Sequence, residues 1–264
     1  MSITKAELKQ VKALSTAKGR KLSRRFLAEG TRLLEEALRH RFLPDRIYFA
    51  SALLGRRGEK LMNRLKGHRI ACAEVSAREL RDMAQTEAPQ GILGVFAMPD
   101  NELSELRRPR YRRILWCEGI ADPGNLGTLV RSAQAFEFDP VVLTENCADA
   151  FAPKVVRSSA GAVFGRQIVQ LGNKDVLAFA RKHRFTIIAA GTRGKKIDYS
   201  LIKALEKVKL ILAIGSEADG LSEEIVRHAN LTVTIPHSRK TESLNAAVAG
   251  SILMNEFYCR REEP

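Results

Sequence analysis

From residue 113 onward, short apolar runs recur at regular intervals, each bounded by turn-forming residues. ILWCE (114–118), PVVLT (140–144), RQIVQ (166–170), TIIAAG (186–191), LILAIG (210–215) and LTVTI (231–235) have the length and pattern of strands, with helical spacing between them. Runs that are apolar throughout, rather than alternating, are what strands buried on both faces require. The pattern therefore predicts a largely parallel sheet covered by helices. Upstream, helical spacing over Glu29–His40 is followed by a strand at Arg46–Ala50, a helix over 59–67 and a strand over 69–75. A helix around Ala77–Leu80 and a strand at Gly91–Met98 complete a shorter alternating α/β module. The polar stretch Pro99–Arg113 contains two prolines and separates the two patterns. The expected organisation is a domain at 1–100, a linker at 101–112 and a second domain at 113–264. There is no internal repeat and no low-complexity segment.

Composition narrows the class. The 264 residues are 45% hydrophobic and 28% charged, as in a globular chain. No apolar run reaches the roughly 18 residues that suggest a membrane span. The N-terminus is basic and lacks the apolar core of a secretory signal, so a cytoplasmic location is expected. Cys72, Cys117, Cys147 and Cys259 form no CxxC pair and no zinc spacing, so reduced packed thiols and no metal are expected. The net charge of +14 is uneven: residues 1–112 carry 24 Lys+Arg against 13 Asp+Glu, and residues 113–264 carry 20 against 17. Such asymmetry points to a polyanionic partner, nucleic acid above all, although a solvated basic surface gives the same count.

Ligands of open parallel sheets sit where loops leave the carboxyl ends of strands, and three such exits carry unusual residues. The first, EGIADPGNLGTLVRSAQAFEFD (Glu118–Asp139), turns into a helix after DPGN. Asn125 is a candidate cap, and Arg131, six residues on, either projects toward the loop or faces water. The second, AIGSEADGLSEEI (Ala213–Ile225), removes side-chain bulk at Gly215 and Gly220, so backbone can approach a ligand. It places the carboxylate of Glu217 at a strand exit, and Ser222 is positioned to cap the next helix. It is neither GxGxxG nor GxxxxGKS, which argues against an NAD- or ATP-dependent enzyme. The third runs from Ile235 to Phe257: a polar turn, then Ser243 and Asn245 near the start of a helix. That helix is thin, with Ala246, Ala247, Ala249 and Gly250. A glycine inside a helix costs roughly 1 kcal/mol relative to alanine, so close packing against backbone, within the core or across a subunit contact, is expected.

Taken in order, "DPGNLGTLVRSAQAF", "IGSEADGLS" and "IPHSRKTESLNAAVA" resemble the three signature motifs of the SpoU (TrmH-like) branch of the SPOUT RNA 2′-O-ribose methyltransferases. "FLAEGTRLLEEAL" and "TEAPQGILGVF" resemble the ribosomal-protein-L30e-like substrate-binding domain found in many of them. The resemblance implies a deep trefoil knot in the mostly parallel C-terminal sheet, a smaller N-terminal L30e-like α/β domain, and a homodimer. It implies S-adenosylmethionine (SAM) as cofactor and RNA as substrate, with ribosomal RNA of the large subunit expected and transfer RNA second. A non-catalytic RNA-binding or ribosome-assembly protein on the same fold is the rival from another class. Asn125, Arg131, Glu217, Ser243 and Asn245 match polar positions of the reaction site. Gly215, Ile235 and Leu244 match positions that hold SAM largely through backbone, in a pocket expected to include Gly191, Thr192, Glu217, Gly220, His237 and Ser243. The chain departs from the pattern where His237 stands for a common methionine, Arg239 for a common glycine, and Ala-Ala-Val for the usual Val-Ser-Val after Asn245. Arg239 and Lys240 offer additional phosphate contacts. Because a guanidinium pKa exceeds about 12, Arg131 is expected to bind the adjacent phosphate and stabilise a developing alkoxide rather than act as a simple base.

Overall fold

The structure, a computed structural model, describes residues 3–84, 86–99, 111–238 and 240–259. Its first elements are α1 (Lys5–Ala13), α2 (Ala17–Ser23), β1 (Arg25–Glu29), α3 (Thr31–Arg39), β2 (Arg46–Phe49), α4 (Arg56–Gly67), β3 (Ala71–Glu74), α5 (Ala77–Met83) and β4 (Ile92–Ala97). They are followed by β5 (Arg113–Cys117), α6 (Pro123–Ala135), β6 (Val141–Leu143), α7 (Pro153–Ser158), β7 (Ile168–Gln170) and α8 (Asn173–His183). The last are β8 (Thr186–Lys196), α9 (Tyr199–Leu205), β9 (Leu210–Ile214), α10 (Glu223–His228), β10 (Leu231–Thr234) and α11 (Ala246–Cys259). These residues form two compact units, one of Met1–Asp100 with Asp149–Gly165, the other of Asn101–Ala148 with Arg166–Pro264. Of the expected linker at 101–112, only Tyr111 and Arg112 lie within the described residues.

The first unit is built on a four-stranded sheet of order β1-β4-β2-β3, with β4 antiparallel to β1 and β2, and β2 parallel to β3. The elements before Glu29 have no counterpart in the hydrophobic pattern: α1 and α2 are rich in lysine, and β1 is five residues long. Thr4 and Thr16 cap the two helices by accepting the amides of Glu7 and Gly19 at 3.1 Å each. Leu27, Tyr48, Leu93 and Val95 pack with Val11 and Leu14 of the N-terminal helical region and with Leu80 and Met83 of α5. Phe26, Phe42 and Phe96 form an aromatic cluster with Phe151 and Phe164 from the Asp149–Gly165 segment, with centroids 4.8 Å apart for Phe26–Phe151 and 5.0 Å for Phe96–Phe164. Arg20, only 3% exposed, ties that segment down: it contacts Asp149 Oδ2 at 2.6 and 2.8 Å and donates to the carbonyls of Leu14 and Ser15. A buried guanidinium is tolerated only with such complete pairing.

The second unit contains a six-stranded, all-parallel sheet of order β10-β8-β9-β5-β6-β7. β5, β6 and β9 are buried along their whole length, which is why their sequences do not alternate. Trp116, Val142, Ile187 and Ile211 pack in one cluster with Val176 and Phe179 of α8 and Ile225 of α10. α6 packs against α11, which also touches β9. The thinness of α11 has its reason here: a Cβ on Gly250 would come within 2.5 Å of Leu129 Cδ2 and 3.4 Å of Ile214 Cγ1. Beside it, the hydroxyls of Ser132 and Ser251 are 2.7 Å apart. β8 is longer than the expected 186–191. Its pairing with β10 jumps from Ala189–Thr232 to Lys195–Val233, so residues 190–194 leave the ladder before the strand resumes.

Candidate active site at the strand exits

Three loops leave the carboxyl ends of β5, β9 and β10. In the first, Asp122 caps α6 by accepting the Asn125 amide at 2.8 Å, with Pro123 in the opening turn where its missing N–H costs nothing. The cap is therefore Asp122, and the Asn125 side chain is left to other work. In the second, Ser216 and Gly220 exchange two backbone hydrogen bonds of 3.1 Å, and Ser216 Oγ accepts the Asp219 amide at 3.0 Å. This closes a tight loop that exposes Glu217 at its tip. Gly215 lies under it, where a Cβ would sit 2.1 Å from the Gly220 carbonyl carbon. In the third, Asn245 caps α11, its Oδ1 accepting the amides of Ala247 at 3.0 Å and Val248 at 3.1 Å.

These loops bring three polar side chains together. Asn125 Nδ2 donates to Glu217 Oε1 at 2.9 Å, and Asn245 Nδ2 donates to Asn125 Oδ1 at 3.0 Å and also to Glu217 Oε1. One carboxylate oxygen thus accepts from two carboxamides, while Glu217 Oε2 has no hydrogen-bond partner among the described residues.

Glu217 also lines a cavity of about 730 Å³. Gly191, Thr192, Gly215, Gly220, Ile235, His237, Ser243 and Leu244 line the same cavity, so every residue expected in the cofactor pocket borders one space. Its apolar walls include Leu221, Val233, Ile235, Leu244 and Leu253, and its acidic groups are Glu217, Asp219 and Glu242. His237 Nδ1 lies 2.9 Å from the Ile235 carbonyl. Arg131 is exposed on α6, does not line the cavity and has no partner among the described residues, so within one chain it is not brought to the Asn125–Glu217–Asn245 cluster. Arg239 lies outside the described residues.

One half-buried polar contact has no sequence signature. The carboxylate of Glu118, just past β5, accepts Asn173 Nδ2 at 2.6 Å and the Ser222 amide at 2.7 Å. It fastens the segment after the second loop and the start of α8 to the strand from which the first loop springs. Its position one residue beyond an apolar strand was the only available hint. Among the described residues no group of His, Cys, Asp and Glu is placed to hold a metal ion, and no helix is long and apolar enough to cross a membrane. All four cysteines are free thiols, and burial pushes that of Cys117 well above its ordinary pKa.

Residues 112–255 match the model of the SpoU rRNA methylase family, and residues 5–94 match that of an MRM3-like substrate-binding domain. The 23S rRNA (guanosine(2553)-2′-O)-methyltransferase RlmP of Bacillus subtilis is 30% identical over 248 residues, covering 94% of each chain. The human mitochondrial rRNA methyltransferase 3 is 34% identical, covering 88% of this chain and 67% of its own. The crystal structure of an AdoMet-bound rRNA methyltransferase from Sinorhizobium meliloti superposes with a TM-score of 0.85 at 25% identity, covering 100% of this chain and 99% of that one.

Proposed function

For a chain that belongs to the SpoU rRNA methylase family, we propose SAM-dependent methylation of a ribose 2′-hydroxyl in large-subunit ribosomal RNA. The larger unit has the mostly parallel α/β-knot fold of the SPOUT methyltransferases. The observation that carries the reading is the convergence of Asn125, Glu217 and Asn245 on a rim shared with the cavity. RlmP of Bacillus subtilis, a 23S rRNA 2′-O-methyltransferase by name, supports the substrate class.

The cavity suits SAM. Its volume falls within the few hundred to about 1,000 Å³ of small-molecule sites. The apolar walls from Leu221 to Leu253 suit a flat purine, and Glu217, Asp219 and Glu242 suit a ligand bearing ammonium and sulfonium charges. The close approach of Gly215 to the Gly220 backbone leaves that wall free of side chain. When bound, SAM supplies an electrophilic methyl group. The chain's own part is positioning, which can lower a barrier by several kcal/mol when reacting groups are held in line. Glu217 Oε2 is available to accept the ribose hydroxyl proton, while the two carboxamides fix the carboxylate through Oε1. Ser243, on the cavity wall, orients the ribose or the cofactor. Arg131, which within one chain does not reach this cluster, is supplied in this reading by the second copy of a dimer, where it binds the neighbouring phosphate and stabilises the developing alkoxide.

The active form in this reading is a homodimer. α11 exposes Val248 (48%) and Ile252 (36%), four residues apart on one helical face, and a second copy docked there would cover them. The compartment is that of the ribosomes it serves, the cytoplasm for a bacterial chain.

The test is incubation of purified protein with methyl-labelled SAM and total RNA from a strain lacking it. Label in the large rRNA, released by alkaline hydrolysis as a resistant dinucleotide, is the expected result. Label in transfer RNA would move the substrate class. SAM binding and RNA binding without transfer would favour a ribosome-assembly role.

A further inference from the structure

The cavity that suits a cationic cofactor is hostile to its polyanionic substrate. Its acidic groups, Glu217, Asp219 and Glu242, would repel an RNA backbone brought to its mouth. Among the described residues lining it, Arg193 is the one lysine or arginine, and it sits where β8 departs from its ladder.

Between the pairs Ala189–Thr232 and Lys195–Val233, residues 190–194 bulge out of the ladder while β10 advances a single step. The excursion is anchored on both sides. A Cβ on Gly194 would fall 2.5 Å from the Thr232 carbonyl oxygen, so only glycine lets the chain return this close to β10. On the entering side, Thr234 Oγ1 donates to the Thr192 carbonyl at 3.4 Å. Arg193 is therefore presented from a braced projection, followed at once by Lys195 and Lys196. All three are exposed, and among the described residues none forms an ion pair. Asp198, which caps α9, follows them in sequence. Its carboxyl is held below the ordinary range chiefly by the Leu201 amide and the Ser200 hydroxyl, with a smaller contribution from Lys195. Arg193, Lys195 and Lys196 fall within four consecutive residues, close enough in the chain to serve neighbouring phosphates.

We propose that the β8 projection is a phosphate grip, in which Arg193, Lys195 and Lys196 hold the RNA backbone flanking the target nucleotide at the cavity mouth. A guanidinium can fork a phosphate with two parallel hydrogen bonds, and the lysines add point charges. The grip offsets the acidic lining and brings the strand past Glu217. This inference rests on the RNA-methylating reading.

The triple variant Arg193→Gln, Lys195→Gln, Lys196→Gln tests it, with wild type alongside. Three measurements are needed: SAM affinity by calorimetry, binding of transcribed 23S rRNA across a salt series, and methyl transfer. Loss of two to three phosphate contacts flattens the log–log salt dependence of binding by about 1.5–2, at roughly 0.7 per contact with single-stranded RNA. The expected result is that flattening, a fall in kcat/KM of at least tenfold, and unchanged SAM affinity. An unchanged salt slope would overturn the grip. Weakened SAM affinity with an unchanged slope would reassign Arg193 to the cofactor's carboxylate and also overturn it. Wild type that binds RNA but transfers no methyl group would remove the enzymatic reading, while the slope comparison still decides the grip. Wild type that binds no RNA would remove both.

Discussion

The side-chain amide of Asn245 lies 3.0 Å from Asn125 Oδ1, joining the starts of α11 and α6 across 120 residues of chain. The same carboxamide works at both ends, since its oxygen caps α11 while its nitrogen grips Asn125 and Glu217. Serine caps helices about as well as asparagine but is too short to keep the bonds that Asn245 Nδ2 makes to Asn125 and Glu217. Asn245→Ser should therefore fold with a nearly unchanged melting temperature and lose methyl transfer by about 100-fold, the scale for removing one preorganised donor. Asn245→Ala should lose the cap as well, costing about 1 kcal/mol. Thermal melts and single-turnover transfer on both variants separate the two roles. Equal melting and equal activity loss in both would show that the cap contributes nothing.

Gly215 and Gly250 should respond oppositely to the same substitution. A Cβ on Gly215 meets backbone, 2.1 and 2.2 Å from the Gly220 carbonyl carbon and oxygen, so the loop carrying Glu217 must move. A Cβ on Gly250 meets the far end of the Leu129 side chain. Its overpacking cost, about 1–3 kcal/mol, is partly offset by the roughly 1 kcal/mol that alanine gains in a helix. Gly250→Ala should stay within about 2 kcal/mol of wild type in chemical denaturation and keep SAM affinity. Gly215→Ala should lose SAM affinity at least tenfold by calorimetry. A Gly215→Ala protein that binds SAM normally would show that the loop has slack.

That contrast also marks what the sequence made legible. The six strands of the parallel sheet, the three exits and the small residues of α11 are local features, written in apolar runs, glycines and caps. Contacts made across the chain were not legible. Glu118 meets residues 55 and 104 positions away, and no spacing rule links them. Asp149–Gly165 joins the first unit through Phe151, Phe164 and Asp149, whose partners lie more than a hundred residues upstream or in β4. The departure of β8 from its ladder looked like a strand end because Gly191 reads locally as a stop.

Glu118 gives the third prediction. Glu118→Ala strands the Ser222 amide and the Asn173 side-chain amide, and Asn173 Oδ1 and Ser222 Oγ are already buried without partners among the described residues. Losing two hydrogen bonds to a carboxylate should destabilise the larger unit by about 2–4 kcal/mol. Amide exchange at Ser222 should speed up before global unfolding, because the clamp is what holds that loop to β5. Faster exchange spread evenly over the whole unit would instead make Glu118 an ordinary contributor to the core.

Tyr48 makes the stability of the smaller unit depend on alkaline pH. Burial, then its hydrogen bond to Glu7 at 2.6 Å, pushes the phenol far above its ordinary pKa of about 10, with Arg46 opposing weakly. The raised group is neutral in both states below pH 10, and its stabilising contribution is intact there. Above pH 10 the unfolded tyrosine loses its proton while the folded one keeps it, so stability falls as pH rises, by up to about 1.4 kcal/mol per unit. Tyr48→Phe should cost about 1 kcal/mol at neutral pH through the lost hydrogen bond. It should then show a shallower decline than wild type between pH 10 and 12, so that the two stability curves converge. Parallel curves would mean that Tyr48 ionises in the folded state as readily as in the unfolded chain.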